Sequence, residues 1–150
     1  VMLRSYAWLA LGCLAMAGAG CSQGRHSAAG FRLPESGDAG RGQMAFAAIG
    51  CSSCHSVDGV QLPPSEQRMK VPVSLGGRVP RDMTDGYLVT AILNPSFHLA
   101  GYPRNDISVN GKSKMPDFAE QMTARQLIDL VAFLQSHYET VAPSRQAPAI

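Results

Sequence analysis

The residues with the clearest chemistry are Cys51-Ser52-Ser53-Cys54-His55, a C-x-x-C-H run of the kind to which a c-type haem is covalently attached. The spacing has a physical basis. Two cysteines three apart fall on one side of a helical turn, so each thiol can reach one vinyl group of the porphyrin, and the next residue turns an imidazole toward the iron. Two thioethers would fix the macrocycle of one haem c, with His55 as proximal ligand. A C-x-x-C pair also serves thioredoxin-like redox proteins and forms half of a zinc site. Neither context surrounds this one: there is no βαβ pattern, and no second Cys/His pair to close a tetrahedral site.

The second chemical stretch is Lys114-Met115-Pro116-Asp117-Phe118. Proline pushes the residue before it into an extended conformation, so Met115 can stand out from the backbone and offer its thioether to the open face of the iron. An isolated methionine is by default core filler. Met115 differs from Met44, Met69, Met83 and Met122 in its company: Gly111 precedes it in a loop, Pro116 follows, and a well-signalled helix begins shortly after. His98 lies in the preceding loop and reads as a partly exposed surface histidine rather than a competing ligand. A proximal histidine normally donates its second ring N–H to a backbone carbonyl, for which Pro72 is the candidate. Leu75 would then pack on the porphyrin. Arg78 is placed to pair with a haem propionate, a solvated surface arginine being the alternative.

These groups need elements to hold them. Asp38 can cap a helix with Gly42, Phe46 and Ile49 on one face and Gly50 as its stop, just before the haem turn. Ser56 to Pro80 has no sustained period and reads as an irregular loop along one haem edge. A second helix starts at Thr84 or Asp82 and finishes near Asn94, because Pro95 follows. Ser96 to Lys114 is a long loop with a polar tip at Arg104-Asn105-Asp106. Thr123-Ala124-Arg125-Gln126 is a capping box, and Leu127, Leu130, Val131 and Leu134 repeat at helical spacing beyond it. Ile128 and Phe133 widen that stripe, and His137 falls at the negative pole of the helix. The Phe46 helix is its expected partner.

At 150 residues the chain holds one domain, and the +2 balance of 13 basic against 11 acidic residues points to neither nucleic acid nor a polyanion. Residues 1–20 read as a signal peptide: Arg4 supplies a basic start, and an apolar run from Ala7 to Gly20 is too short to span a bilayer comfortably. Ala17-Gly18-Ala19-Gly20-Cys21 resembles a lipobox, so Cys21 is the expected lipidation site, with ordinary cleavage after Ala19 as the alternative. Cys13 and Cys21 both fall in or beside this leader, so no structural disulfide is expected. Residues 21–36, rich in Gly, Ser, Ala and Arg, form a flexible tether; 37–140 form the haem domain; 141–150 form a disordered tail. The product is expected to be exported and held at the periplasmic side of a bacterial membrane by its lipid.

From Asp38 to about Tyr138 the chain resembles a class I c-type cytochrome: the Cys51–His55 turn, Met115-Pro116 with Phe118, and the capped Leu127–Leu134 helix stand in that family's order. The resemblance implies an all-α fold of three to four helices wrapped around one covalently bound haem, with Gly42, Phe46 and Phe133 joining the terminal helices. It further implies single-electron transfer with His55 and Met115 as axial ligands, and no catalysis at an iron whose two axial positions are filled. The Tyr87–Pro95 segment with Gly101-Tyr102 is similar to the cytochrome c domain fused to subunit II of some haem-copper oxidases, which suggests a respiratory chain. Arg104–Lys114 lengthens the distal loop relative to that domain, and Val71-Pro72-Val73-Ser74-Leu75 stands where the family favours Gly-Pro-x-Leu. Expected partners are redox proteins, a terminal oxidase or a dehydrogenase among them. Arg68, Lys70, Arg78, Arg81, Lys112 and Lys114 could steer an acidic one, with Glu66, Asp82, Asp85 and Asp106 interspersed. The alternatives are an electron-accepting subunit of a periplasmic dehydrogenase, a haem sensor or peroxidase whose distal ligand is labile, and a haem-free thiol oxidoreductase.

Overall fold

A computed structural model describes residues 30–63 and 73–141; the leader, Cys21, most of the tether, Pro72 and the tail beyond Val141 lie outside the described residues. The described chain is mostly helical, with α1 at Ala39–Ala48, a 3-10 turn at Cys51–Ser53, α2 at Asp85–Leu93, α3 at Arg104–Ile107 and α4 at Ala124–Ser136. None of these helices is long and apolar enough to cross a membrane.

Each of the three longer helices begins where a side chain accepts an otherwise unpaired N–H. Asp38 Oδ1 accepts from Arg41 N at 2.7 Å, and Thr84 Oγ1 accepts from Tyr87 N at 3.2 Å. Thr123 and Gln126 complete a reciprocal box, with Gln126 N donating to Thr123 Oγ1 and Thr123 N donating to Gln126 Oε1. The second helix is capped by Asn94, and Pro95 prevents its continuation.

The core forms where α1 crosses α4. Phe46 and Phe133 meet edge to face with ring centroids 5.7 Å apart, and Leu130, Val131 and Leu134 close around them with Leu88 and Ile92 from α2. Gly42 permits the approach. A Cβ there would sit 2.6 Å from Phe133 Cβ and closer still to the Asp129 carbonyl, so the two backbones touch where no side chain fits. Burying each large side chain of this cluster contributes roughly 1.5–3 kcal/mol, so the α1–α4 seam is the main source of stability.

Two polar ties lie beside the seam, and neither was expected from sequence. Asp129 is almost wholly covered and accepts from Arg41 Nε at 2.8 Å, from Arg41 Nη2 at 3.1 Å and from the Asp38 backbone N–H at 2.9 Å. The hydrogen bond from Arg41 is the main reason its carboxyl is held below the ordinary aspartate range. On the other side of α4, buried Asp85 accepts from Gln135 Nε2 at 2.7 Å and from Leu33 N at 2.8 Å. Gln135 also donates to the Met83 carbonyl at 3.1 Å. Leu33 belongs to the stretch assigned to the tether, so the end of that stretch lies against the domain, where Arg125 also donates to Ser36.

Three pairs of very short strands join the loops between the helices. β1 (His55–Val57) runs parallel to β2 (Val73–Leu75), β3 (Gly77–Val79) runs parallel to β6 (Tyr138–Thr140), and β4 (Ser108–Val109) forms a hairpin with β5 (Lys112–Ser113). Pieces of two or three residues are too short to show an alternating period, which is why they read as loop. Gly76 and Gly77, at φ of 85° and 76°, make the corner between β2 and β3. A Cβ on Gly76 would press to 3.0 Å from the His137 carbonyl, so the corner needs glycine for space as well as for its left-handed backbone.

Candidate functional site

Immediately after α1, the chain closes a single 3-10 turn in which Ser53 N donates to Gly50 O and Cys54 N donates to Cys51 O, both at 3.1 Å. This turn carries the two thiols. Cys54 and His55 face a cavity of about 520 Å³, whereas Cys51 is part-buried against the core. Burial pushes the Cys51 thiol up to about 11 and raises Cys54 as well. Catalytic C-x-x-C thiols need the opposite shift, toward the thiolate, so this pair is poorly suited to thiol redox catalysis.

The β1–β2 register fixes the His55 ring. Val73 uses both of its backbone groups on the haem turn: its N–H donates to Cys54 O at 2.8 Å, and its carbonyl lies 3.1 Å from His55 Nδ1. A carbonyl can only accept, so Nδ1 carries the proton and the Nε2 lone pair is left for a metal. Burial is the larger influence on this imidazole and lowers its basicity, against the Val73 bond, so it is held neutral as metal ligation requires. The expected acceptor, Pro72, lies outside the described residues, and Val73, one position on, takes that role. In a parallel bridge the partner is set by register, and His55 pairs with Val73.

The cavity walls are mainly apolar: Leu75, Tyr87, Leu88, Ile92, Leu99, Ile107 and Leu134 line it, with Met115 among them. Leu75, expected from sequence to pack on a porphyrin, is one of these lining residues. Met115 is part-buried, and its backbone N–H donates to Ser113 Oγ at 3.1 Å. Arg78 is not a lining residue. It stands 74 % exposed on β3, 4.0 Å from Glu139, because inward and outward positions alternate and Val79 takes the inward one. The arginine that reaches the cavity is Arg81, whose guanidinium lies 5.3 Å from the centroid of Tyr87. The available signal was parity, since Gly77, Val79 and Arg81 share it. His98 is exposed at the cavity rim, its ring 4.6 Å from Phe97 and 6.4 Å from Tyr87. Tyr102 and Tyr138 also line the cavity and had not been singled out for it.

These observations test the fit of a haem. The volume lies within the roughly 300–1,000 Å³ of ordinary ligand sites, and the walls suit an apolar macrocycle. His55 and Met115 bring an imidazole nitrogen and a thioether to the cavity, the donor pair of an electron-transfer haem iron, and His98 and Met83 also line it. Among the described residues no cluster of three or more His, Cys, Asp or Glu could hold a bare metal ion, so a zinc site finds no support. The residues fit the group.

No curated protein and no solved structure matches the chain. The Cytochrome c family does match, over residues 39–137, which run from the first residue of α1 to the residue that caps α4 and cover two thirds of the sequence. Its members carry covalently bound haem c, typically one per domain. With the C-x-x-C-H turn, the neutral histidine and all of the cavity's lining residues but Tyr138 inside the matched span, the chain belongs to the Cytochrome c family.

Proposed function

We propose that this cytochrome is a monohaem electron carrier in which Cys51 and Cys54 bear the porphyrin while His55 and Met115 ligate the iron. The observation that carries the reading is the shared cavity, in which an imidazole with a free Nε2 and a thioether meet apolar walls. Haem c supplies an iron that gains or loses one electron without making or breaking a bond. The chain's own residues prepare that change. Val73 keeps the proton on His55 Nδ1, and Leu75, Leu88 and Ile92 exclude water. Thioether ligation favours the ferrous state more than a second imidazole would, which suits the oxidising end of a chain.

On this reading the protein works at the periplasmic side of a bacterial membrane, exported by residues 1–20 and held by a lipid on Cys21. Its acceptor is a haem-copper oxidase, a partner supported by the similarity of Tyr87–Pro95 and Gly101-Tyr102 to the cytochrome domain fused to subunit II of such oxidases. Arg81 and Lys114 line the cavity and add positive charge toward an acidic docking face. The deciding experiment is a visible and near-infrared spectrum of the exported protein beside Met115→Ala and Met115→His. A sulfur-to-iron charge-transfer band in the parent, lost in both variants, supports the reading. A parent without that band, or a variant that keeps it, overturns it.

A further inference from the structure

We propose that Ser113 is a positioning residue for Met115, and that the hairpin before it acts as a splint holding the thioether in place. This rests on the reading of Met115 as an axial ligand. Between α3 and Met115 the chain is not a free loop. Asn110 and Gly111, at φ of 50° and 78°, make the two-residue turn that joins β4 to β5, a pair of left-handed residues matched to hairpin twist.

Three consecutive N–H groups after that turn are each satisfied. Ser113 N donates to Ser96 Oγ at 3.1 Å, Lys114 N to Ile107 O at 2.8 Å, and Met115 N to Ser113 Oγ at 3.1 Å. Ser96 follows Pro95 at the end of α2, the helix whose Tyr87, Leu88 and Ile92 wall the cavity, and Ile107 is itself buried in that wall. A continuous line of hydrogen bonds therefore runs from the end of the wall helix, through one serine hydroxyl and then another, to the backbone of Met115. The last link has no substitute in the chain direction, because Pro116 carries no N–H. A loop displacement that carries the Met115 backbone, and its thioether with it, off the cavity breaks this link. The Ser113 hydroxyl thus favours Met115 over an outside ligand.

The test is imidazole binding to the ferric holo-protein, followed by loss of the sulfur-to-iron charge-transfer band. Ser113→Ala should bind imidazole about fivefold more tightly than the parent, which is about 1 kcal/mol at 1.4 kcal/mol per tenfold and the net value of one hydrogen bond. Ser113→Thr keeps the hydroxyl and should return the affinity to within about twofold of the parent. Ser96→Ala, one link further back, should lie between the two, and it carries the test together with Ser113→Thr if Ser113→Ala yields no holo-protein. Thr123→Ala, which removes the α4 cap far from this hairpin, should lower thermal stability and leave the affinity unchanged.

Equal affinity in Ser113→Ala and parent overturns the proposal. So does a Ser113→Thr variant no better than alanine, or a Thr123→Ala variant that shifts affinity as much. A parent without the band, with Met115→Ala binding imidazole no better, overturns the ligand reading and this inference with it; a normal band with an inert Ser113→Ala overturns this inference alone.

Discussion

Replacing Gly42 with alanine adds one methyl group at the point where α1 and α4 touch. That methyl would lie 2.6 Å from Phe133 Cβ and nearer still to the Asp129 carbonyl, so relief requires moving one helix backbone off the other. Asp129 is also held by Arg41 and by the Asp38 N–H, which resists that movement. Overpacking of this kind costs about 1–3 kcal/mol, and a clash with backbone belongs at the upper end. Alanine returns about 1 kcal/mol through its better helix propensity, leaving a net loss of about 2 kcal/mol. For a domain of this size that lowers the melting temperature by about 8–16 °C. Gly40 supplies the contrast, since it lies in the same helix but exposed, and a Cβ there would meet only the Asp38 carboxylate, at 3.3 Å. Gly40→Ala should be neutral or stabilising by up to about 1 kcal/mol. Denaturant unfolding followed by far-ultraviolet circular dichroism measures both on the holo-protein. A Gly42→Ala variant as stable as Gly40→Ala would refute the close-contact argument.

Asp129→Asn should flatten the acid limb of stability. The folded carboxyl lies below its ordinary value of 3.8, so its contribution is present above that value and is lost as pH falls through the lowered folded one; an acid titration identical to the parent's would contradict this. Asp85→Ala leaves Leu33 N without its acceptor and Gln135 Nε2 with only the Met83 carbonyl, and should cost about 1–3 kcal/mol, with faster proteolysis near Leu33; an unchanged denaturation midpoint counts against the tie. Arg81→Ala should lower the reduction potential by tens of millivolts, the size expected of a unit charge about 10 Å away at an effective dielectric of about 40–80, while Arg78→Ala leaves it unchanged. Equal shifts from both arginines in protein-film voltammetry would reject the assignment of Arg81 to the cavity.

What could be read from sequence was what is written locally. The caps at Asp38, Thr84 and Thr123 act within one turn, and the stripe Leu127, Leu130, Val131, Leu134 repeats with the helix, so both are visible without tertiary information. Gly42 and Phe46 could be read as one face of a helix, while their meeting with Phe133 was an expectation carried by the family resemblance. Long-range register was not legible. Whether residue 72 or 73 meets the His55 ring depends on a three-residue bridge spanning 18 positions, and whether Arg78 or Arg81 enters the cavity depends on the parity of β3. Asp129 offered a faint cue, as an acid set between Leu127 and Leu130 in an apolar stripe. Asn110-Gly111 was the plainest signal overlooked, since that dipeptide is the strongest short hairpin marker.

The pairing of β3 with β6 bears on the timing of assembly. Tyr138 completes the cavity wall, and its strand is the last described element of the chain, joined in parallel to residues some sixty positions earlier. Synthesis proceeds from the N-terminus, so Cys51 and Cys54 emerge long before the strand that completes the cavity wall. A nascent chain of this topology stays open like an unlatched clasp until its end arrives, and the thiols are reachable throughout that interval.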